Sequence, residues 1–444
     1  MDALCGRDYP AVGSACTCID FPDFNDPNKL GKGDAMVQHL TNLISIFQKP
    51  ELDFNTDSHL AGDIYEDLLH FFSNKSGKGG IVPYTPVEVR QLMAKVLGIS
   101  KTRVADVTVY DPTCGYGSLL LQVAKEASCD VARYGQEINS AVSGLAQMNM
   151  ILHDAGTAEV ANGNVLAEPR FLDNGDLKRF DYVVACPPFS LNHWSRGFDP
   201  EHDRFGRFSF GIPPKQQGDF AFIQHMLASL KAEGRMAVLI SHGVLFRGKT
   251  EATIRQALLE ADFVEAVIGL PANLLPYTGI PVCILVCNKK KPKERANKVL
   301  IINADRNFSK EGGNNVLLPE HVAKIADAFE AYSDIERFSR VVSFDEMRDN
   351  AFNLNIPRYV DTSELAALLK QHCEQFDKYL IKDLALEINT VRAGKEFEEK
   401  PNSLFISRMN TQMRRPTTDL YAIPANRHMH YFQVVLNERA INLS

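Results

Sequence analysis

Long apolar runs are missing from this 444-residue chain. No stretch reaches the roughly 18 residues a membrane-spanning helix needs. The opening residues, MDALCGRDYPAVG, carry neither the basic region nor the apolar core of a secretory leader. Cysteine supplies no framework. The nine are scattered and odd in number, which fits reduced thiols and a cytoplasmic protein better than disulfides. Cys16 and Cys18 form a Cys-x-Cys pair without a matching second pair, so a plain N-terminal loop is favoured over zinc and no metal is expected. Positive charge is also short. A net charge of −7 argues against a protein that holds DNA alone by neutralising phosphates. One segment runs the other way: CNKKKPKERANK, residues 287–298, has six Lys or Arg and one Glu. It reads first as a solvated loop between strands, and second as a loop that touches phosphates. If DNA is the substrate, much of the grip should come from a partner.

What is present is ordinary in bulk and informative in pattern. Hydrophobic residues at 45% and charged residues at 23% suit a globular chain of two or three domains. Before residue 80 the spacing is helical: Met36, Leu40, Leu43 and Phe47, then Ile64, Leu68 and Phe72. The polar linker SNKSGKGG follows. TPVEVRQLMAKVLG predicts a helix with Pro86 in its first turn, Val89, Leu92, Met93 and Val96 on one face, and Gly98 at its end. From residue 105 strands and helices alternate: ADVTVYD, GSLLLQVAKEA, VARYGQE, NSAVSGLAQMNMILHD, DYVVACPP, GDFAFIQHMLASLKAEG, RMAVLIS, EATIRQALLEA. That alternation implies a doubly wound parallel sheet. FVEAVIGLP and IPVCILVCNK stand too close together for a helical crossover, so the final strand should be antiparallel. The expected fold class is α/β, a Rossmann-like sheet with an antiparallel last strand, preceded by a helical segment. The expected division is 1–80 helical, 81–361 the α/β domain, 362–400 a helical connector and 401–444 a few strands. Internal repeats and low-complexity tracts are lacking.

Several short stretches carry chemistry. In VTVYDPTCGYGSLLL a strand ends at Asp111, the chain turns through Gly115 and Gly117, and a helix begins. Such a turn lets the backbone approach a ligand and presents free N–H groups. With two glycines only, a dinucleotide fingerprint is not met. Twenty residues past Gly117, Glu137 closes the next strand, where an acid can accept both ribose hydroxyls. The competing reading is a surface charge. Asn164 ends a third strand, either as an adenine partner or as a simple turn residue. An adenosine ligand without a pyrophosphate is implied, and S-adenosylmethionine fits it. In ACPPFS the paired prolines stiffen a strand tip and leave carbonyls free, and Phe189 offers a stacking face. Those groups suit the amine of a base flipped out of its duplex, although a rigid corner with a buried Phe is the plainer alternative.

The ordered stretches FPDFNDPNKLGKGDAMV, PYTPVEV, YDPTCGYGSLLL, GQEIN, CPPFSLNHW, GDFAFIQHMLASL, HGVLFRG, VIGLPANLLPYTGIPVCILV and NLNIPRYV resemble the modification subunit of type I restriction-modification enzymes, an N6-adenine DNA methyltransferase family. The resemblance runs from about residue 20 to 361. It implies a methyltransferase fold and S-adenosylmethionine as cofactor. Tyr84, Thr85 and Pro86 would line the cofactor pocket. Asp111, Thr113, Gly115 and Gly117 would hold the methionine end, Glu137 the ribose and Asn164 the adenine. The catalytic tetrapeptide, Asn-Pro-Pro followed by Phe or Tyr, maps to Cys186, Pro187, Pro188 and Phe189. Double-stranded DNA, a specificity subunit, a second modification subunit and a restriction subunit are the implied partners.

Three departures stand out. Cys186 replaces the Asn, and Tyr116 occupies a position usually small, where it would crowd the cofactor. The helical N-terminal part is also short, and residues 401–444 look like the opening of a target-recognition segment. A cysteine beside proline invites a C5-cytosine mechanism, but the chain has no Glu-Asn-Val partner motif. An amino-group methylase acting on RNA or protein would share only the Pro-Pro corner. The rival from another class is a catalytically inactive subunit that binds cofactor and partners. Cys186 favours it; the glycine turn, Glu137 and Phe189 favour an enzyme.

Overall fold

Gly98 ends the first helix of the α/β region as its position predicts. Its φ of 70° lies in the left-handed region, and its N–H reaches back to the Lys95 carbonyl. Val89, Leu92, Met93 and Val96 are all buried on one side of that helix. The structure is a computed structural model that describes residues 32–47, 58–75, 84–102, 106–155, 157–360 and Thr362. The expectations for Cys16 and Cys18, and for the connector and strands after Thr362, lie outside the described residues.

In chain order come helices α1 (Asp34–Phe47), α2 (Ser58–Lys75) and α3 (Val87–Leu97). Then follow β1 (Val107–Asp111), α4 (Ser118–Glu126), β2 (Val131–Glu137), α5 (Ser140–Leu152) and β3 (Glu159–Asn162). A short hairpin, β4 (Leu172–Asp173) and β5 (Asp176–Leu177), precedes β6 (Phe180–Ala185), α6 (Asp219–Ala228) and β7 (Leu230–Ser241). Next are α7 (Thr250–Glu260), β8 (Val264–Gly269), β9 (Val282–Asn288) and β10 (Lys298–Asn303). The series closes with β11 (Ser309–Glu311), β12 (Asn314–Val316), α8 (Pro319–Ala331), β13 (Ser339–Ser343) and α9 (Phe344–Asp349).

Nine strands form one sheet in the order β13-β10-β8-β9-β7-β6-β1-β2-β3. From β3 to β7 all neighbours are parallel. β9 runs antiparallel between β7 and β8, as expected for that pair. Every residue of β8 and β9 is buried, the condition of a sheet covered on both faces. One apolar cluster lies on each side: Phe180, Phe220, Ile223 and Met226 belong to one, Leu92, Leu120, Leu239 and Ile284 to the other. No described helix is long and apolar enough to cross a membrane.

Two expectations need correction. The sheet does end in an antiparallel strand, but that strand is β13 and not β9: β10 pairs parallel with β8, and β13 pairs antiparallel with β10. The helix expected to run through GDFAFIQHMLASLKAEG stops at Ala228. Leu230 then pairs with Phe180 at the start of β7. Helical spacing continued past that point, but the Phe180 N–H takes the Ser229 carbonyl at 2.8 Å, and the sheet claims the chain.

Topology also places the basic segment. β9 is antiparallel, so it ends at Asn288 opposite Arg235, near the start of the parallel run of β7. Residues 289–297 therefore lie at the N-terminal edge of the parallel strands. Three of their cations are paired there: Lys291 with Asp262, Arg295 with Glu265 at 2.9 Å and Lys290 with Glu233. This favours the reading as a structural loop.

Candidate active site

Sheet order reverses across β1: β2 and β3 lie on one side of it and β6 on the other. A crevice opens beyond the carboxyl ends of the strands at such a point, and ligands of open α/β sheets bind there. Asp111 ends β1, Glu137 ends β2 and Cys186 follows β6. The fold thus brings together residues spread over 76 positions of sequence (111 to 186, inclusive).

The glycine turn closes on the two acids. Asp111 Oδ1 accepts from the Thr113 N–H at 2.9 Å. Glu137 Oε2 accepts from the Gly115 N–H at 3.1 Å and Oε1 from the Asn139 N–H at 2.8 Å. Gly115 has φ 54° and Gly117 φ 79°, conformations that glycine takes without strain. At Gly117 a Cβ would also stand 2.4 Å from Met150 Cε, so the end of that methionine would have to move.

Burial pushes the Asp111 carboxyl up to about 8, with the Glu137 charge adding to the effect and the Thr113 N–H opposing it. Glu137 is also raised by burial, against the pull of the Asn139, Gly115 and Ile138 N–H groups. Two acids disfavoured as anions inside one cleft make a setting that a cationic ligand relieves. The Thr113 hydroxyl is buried beside Asp111 without hydrogen-bond geometry to any partner. A pair of desolvated acids fits the amino group and sulfonium of S-adenosylmethionine. Asn162, which the sequence reading passed over, donates its Nδ2 to the Glu137 carbonyl at 2.9 Å. Asn164 spends its Oδ1 on the Leu166 N–H at 3.1 Å; among the described hydrogen bonds none joins it to Asp111, Gly115 or Glu137. Ile138, next to Glu137, is exposed and offers an apolar face at the strand end.

Tyr84, Thr85 and Pro86 approach from the start of α3. Pro86 is its N-cap. The Tyr84 hydroxyl donates to Glu66 at 2.7 Å, and the Thr85 side chain hydrogen bonds to Cys186. Tyr116 does not stand free in the turn. Its ring packs with Leu69, Tyr84 and Val142, while burial and then the nearby Glu137 charge push its phenol up to about 12.

The Cys-Pro-Pro-Phe corner is built as a rigid bend. Pro187 is buried, Pro188 exposed, and Cys186 and Phe189 are half-buried. Phe189 packs against the same cluster as Cys186 and Tyr277. Ser190 then takes φ 49°, held by Asp219 Oδ1, which accepts from its N–H at 3.0 Å. Arg247 donates to both Asp219 Oδ2 and the Ser190 hydroxyl at 2.9 Å. Asp219 and Arg247 lie in the stretches GDFAFIQHMLASL and HGVLFRG, but neither stretch by itself points to this contact. Burial pushes the Cys186 thiol up to about 11, although hydrogen bonds from Thr85 and Tyr277 oppose the shift. A thiol with a raised pKa has a smaller thiolate fraction and is a poorer nucleophile, which argues against the C5-cytosine mechanism.

A strand-end acid pair, a glycine turn and a proline corner lie around a topological switch point, in a sheet that has the fold of the S-adenosylmethionine-dependent methyltransferases. The family model described as N-6 DNA Methylase matches residues 56–367. The chain belongs to that family and, within it, to the methylase subunits of type I restriction enzymes. It is 37% identical over 336 residues to the MjaVII methylase subunit of Methanocaldococcus jannaschii, covering 72% of this chain and 56% of that one. It is 31% identical to the HindI methylase subunit of Haemophilus influenzae, covering 76% and 79%. A solved type I methyltransferase subunit from Streptococcus thermophilus superposes with a TM-score of 0.70 at 34% identity, covering 77% and 72%. The chain spans 56%, 65% and 63% of the lengths of the MjaVII, MpnII and MjaVIII subunits.

Proposed function

We propose that the chain transfers a methyl group from S-adenosylmethionine to N6 of adenine in double-stranded DNA, as the modification subunit of a type I restriction-modification system. Its partners are then a specificity subunit that reads the target, a second modification subunit and, in the restricting assembly, a restriction subunit. The observation that carries this reading is the placement of the Asp111 and Glu137 carboxyls and the Cys186–Phe189 corner at one sheet edge, across the switch point.

In this reading Asp111, Thr113, Gly115 and Gly117 bind the methionine end, Glu137 the ribose and Ile138 one face of the adenine. Asn164 has its Oδ1 engaged and keeps its Nδ2 for the adenine edge, while Tyr84, Thr85 and Pro86 form the wall. The bound cofactor supplies an electrophilic methyl group. Pro187 accepts one hydrogen of the target amine through its carbonyl, and Phe189 stacks on the base. Cys186 stands where an amide would accept the second hydrogen, and sulfur accepts weakly. The chemistry is therefore assembled but slow. The alternative, a subunit that binds cofactor and partners without catalysis, is favoured by that thiol alone.

Transfer of labelled methyl from the cofactor to DNA, with and without a matching specificity subunit, tests the proposal. Label should enter DNA only when that subunit is present. No incorporation under any condition, with cofactor binding intact, would favour the inactive subunit.

A further inference from the structure

We propose that Glu66 on α2 is a positioning residue for the methionine end of the cofactor, acting through the glycine turn it braces from behind. The inference rests on reading that turn as the S-adenosylmethionine site.

Glu66 lies far from the sheet edge in sequence and outside the stretches that carry the family resemblance. Its side chain is 15% exposed, and both oxygens are saturated. Oε2 accepts from the Tyr84 hydroxyl at 2.7 Å and from Arg90 Nη1 at 3.0 Å. Oε1 accepts from Asn149 Nδ2 at 2.7 Å and from the Ser118 hydroxyl. These donors come from four places: the segment before α3, α3 itself, the first residue of α4, and α5.

Two of them reach the turn a second time. Asn149 Nδ2 also donates to the Tyr116 carbonyl at 2.9 Å. Arg90 Nη1 also donates to the Ser118 carbonyl at 3.1 Å. Tyr116 and Ser118 flank Gly117, so both neighbours of the most permissive residue in the turn are fixed through Glu66. A glycine turn left to itself samples many backbone states, and ordering it on binding would weaken affinity. The carboxylate removes that cost beforehand.

The site needs an acceptor at every point. All of the partners donate, and only a carboxylate accepts from all of them. Burial alone would raise the Glu66 carboxyl. The Arg90 charge and the Ser118, Asn149 and Tyr84 donors outweigh it and hold the group below its ordinary value. Glutamine at this position would aim an NH₂ group at two of those donors while keeping the shape.

The test separates positioning from mere stapling of α2. Full-length wild type, Glu66→Gln and Asn149→Ala are titrated calorimetrically with S-adenosylhomocysteine and with 5′-methylthioadenosine, which lacks the amino-acid end. Their unfolding temperatures are measured without ligand. Glu66→Gln is expected to weaken S-adenosylhomocysteine by about tenfold or more and 5′-methylthioadenosine by less than about twofold. Should that variant fail to fold, Asn149→Ala, which removes the Tyr116 link, must show the same selectivity. Equal losses for both ligands, or no loss for either, would overturn the proposal. Wild type that binds neither ligand would overturn the cofactor reading itself, before any variant is compared.

Discussion

Cys186 Sγ lies 4.0 Å from the Tyr277 hydroxyl, with the Thr85 side chain hydrogen bonded to the same thiol. The position that carries an amide in the family is thus a small, neutral group bracketed by two hydroxyls. Restoring the amide tests what the thiol costs. Cys186→Asn should raise single-turnover methylation roughly 10²–10³-fold, the usual worth of one well-placed polar contact at a reacting group, in the presence of a matching specificity subunit. Wild type that already reacts at the variant's rate would remove Cys186 from the explanation. A silent variant that still binds cofactor and DNA would direct attention to Tyr277, whose hydroxyl borders this position.

Cofactor affinity should depend on Glu137 whatever Cys186 does. Glu137→Ala should weaken S-adenosylmethionine binding by roughly 1.5–3 kcal/mol, the scale of hydrogen bonds to a charged group. Calorimetry finding equal affinity would remove Glu137 from the ribose role.

Asp111 makes affinity pH-dependent, and the direction follows from its raised value of about 8. Without ligand the folded protein keeps this carboxyl protonated at neutral pH, whereas the unfolded chain does not. Its contribution to stability therefore declines as pH rises from the ordinary carboxylate range towards 8, then levels off. A cationic ligand favours the anion, so binding should release a proton below pH 8 and tighten as pH rises to that point. Calorimetric titrations in two buffers of different ionisation enthalpy measure the proton count. Proton uptake, or none at pH 7, would contradict the placement of a positive group beside Asp111.

The basic segment should matter little to DNA. Lys290 and Lys293 are exposed but stand at the sheet edge opposite the crevice. Neutralising both to Gln should leave the assembled enzyme's DNA affinity within about twofold and its salt slope unchanged. A slope reduced by about two, nearly one for each lost phosphate contact, would show that the loop grips the backbone after all.

The residues that meet at the sheet edge are legible in the sequence because each part is local. A strand followed by Gly-x-Gly, an acid at the next strand end and a proline pair at a third are each visible within a few residues, and the alternation of elements predicts that they share an edge. What was not legible depends on distant partners. Glu66 meets Ser118 across 52 residues, Asp219 meets Ser190 across 29 and Tyr277 meets Cys186 across 91. No local spacing in the sequence points to any of these pairings. The same holds for the 287–298 run. Its composition allows a phosphate contact, but its place follows from the direction of β9, and the ion pairs that occupy it come from β7, β8 and the turn before β8. The end of α6 was missed for a related reason: Leu230 fits a helix face equally well, and only its pairing with Phe180 assigns it to a strand.

The most direct measurement is the identity of the methylated base. DNA carrying the target of a matching specificity subunit is incubated with the assembled enzyme and S-adenosylmethionine, digested to nucleosides and resolved by mass spectrometry. N6-methyladenine should be the product for wild type, at a low rate, and for Cys186→Asn at a higher one. Methyl on cytosine from either protein, or no methylated base from either despite bound cofactor and DNA, would contradict adenine-N6 transfer at this site.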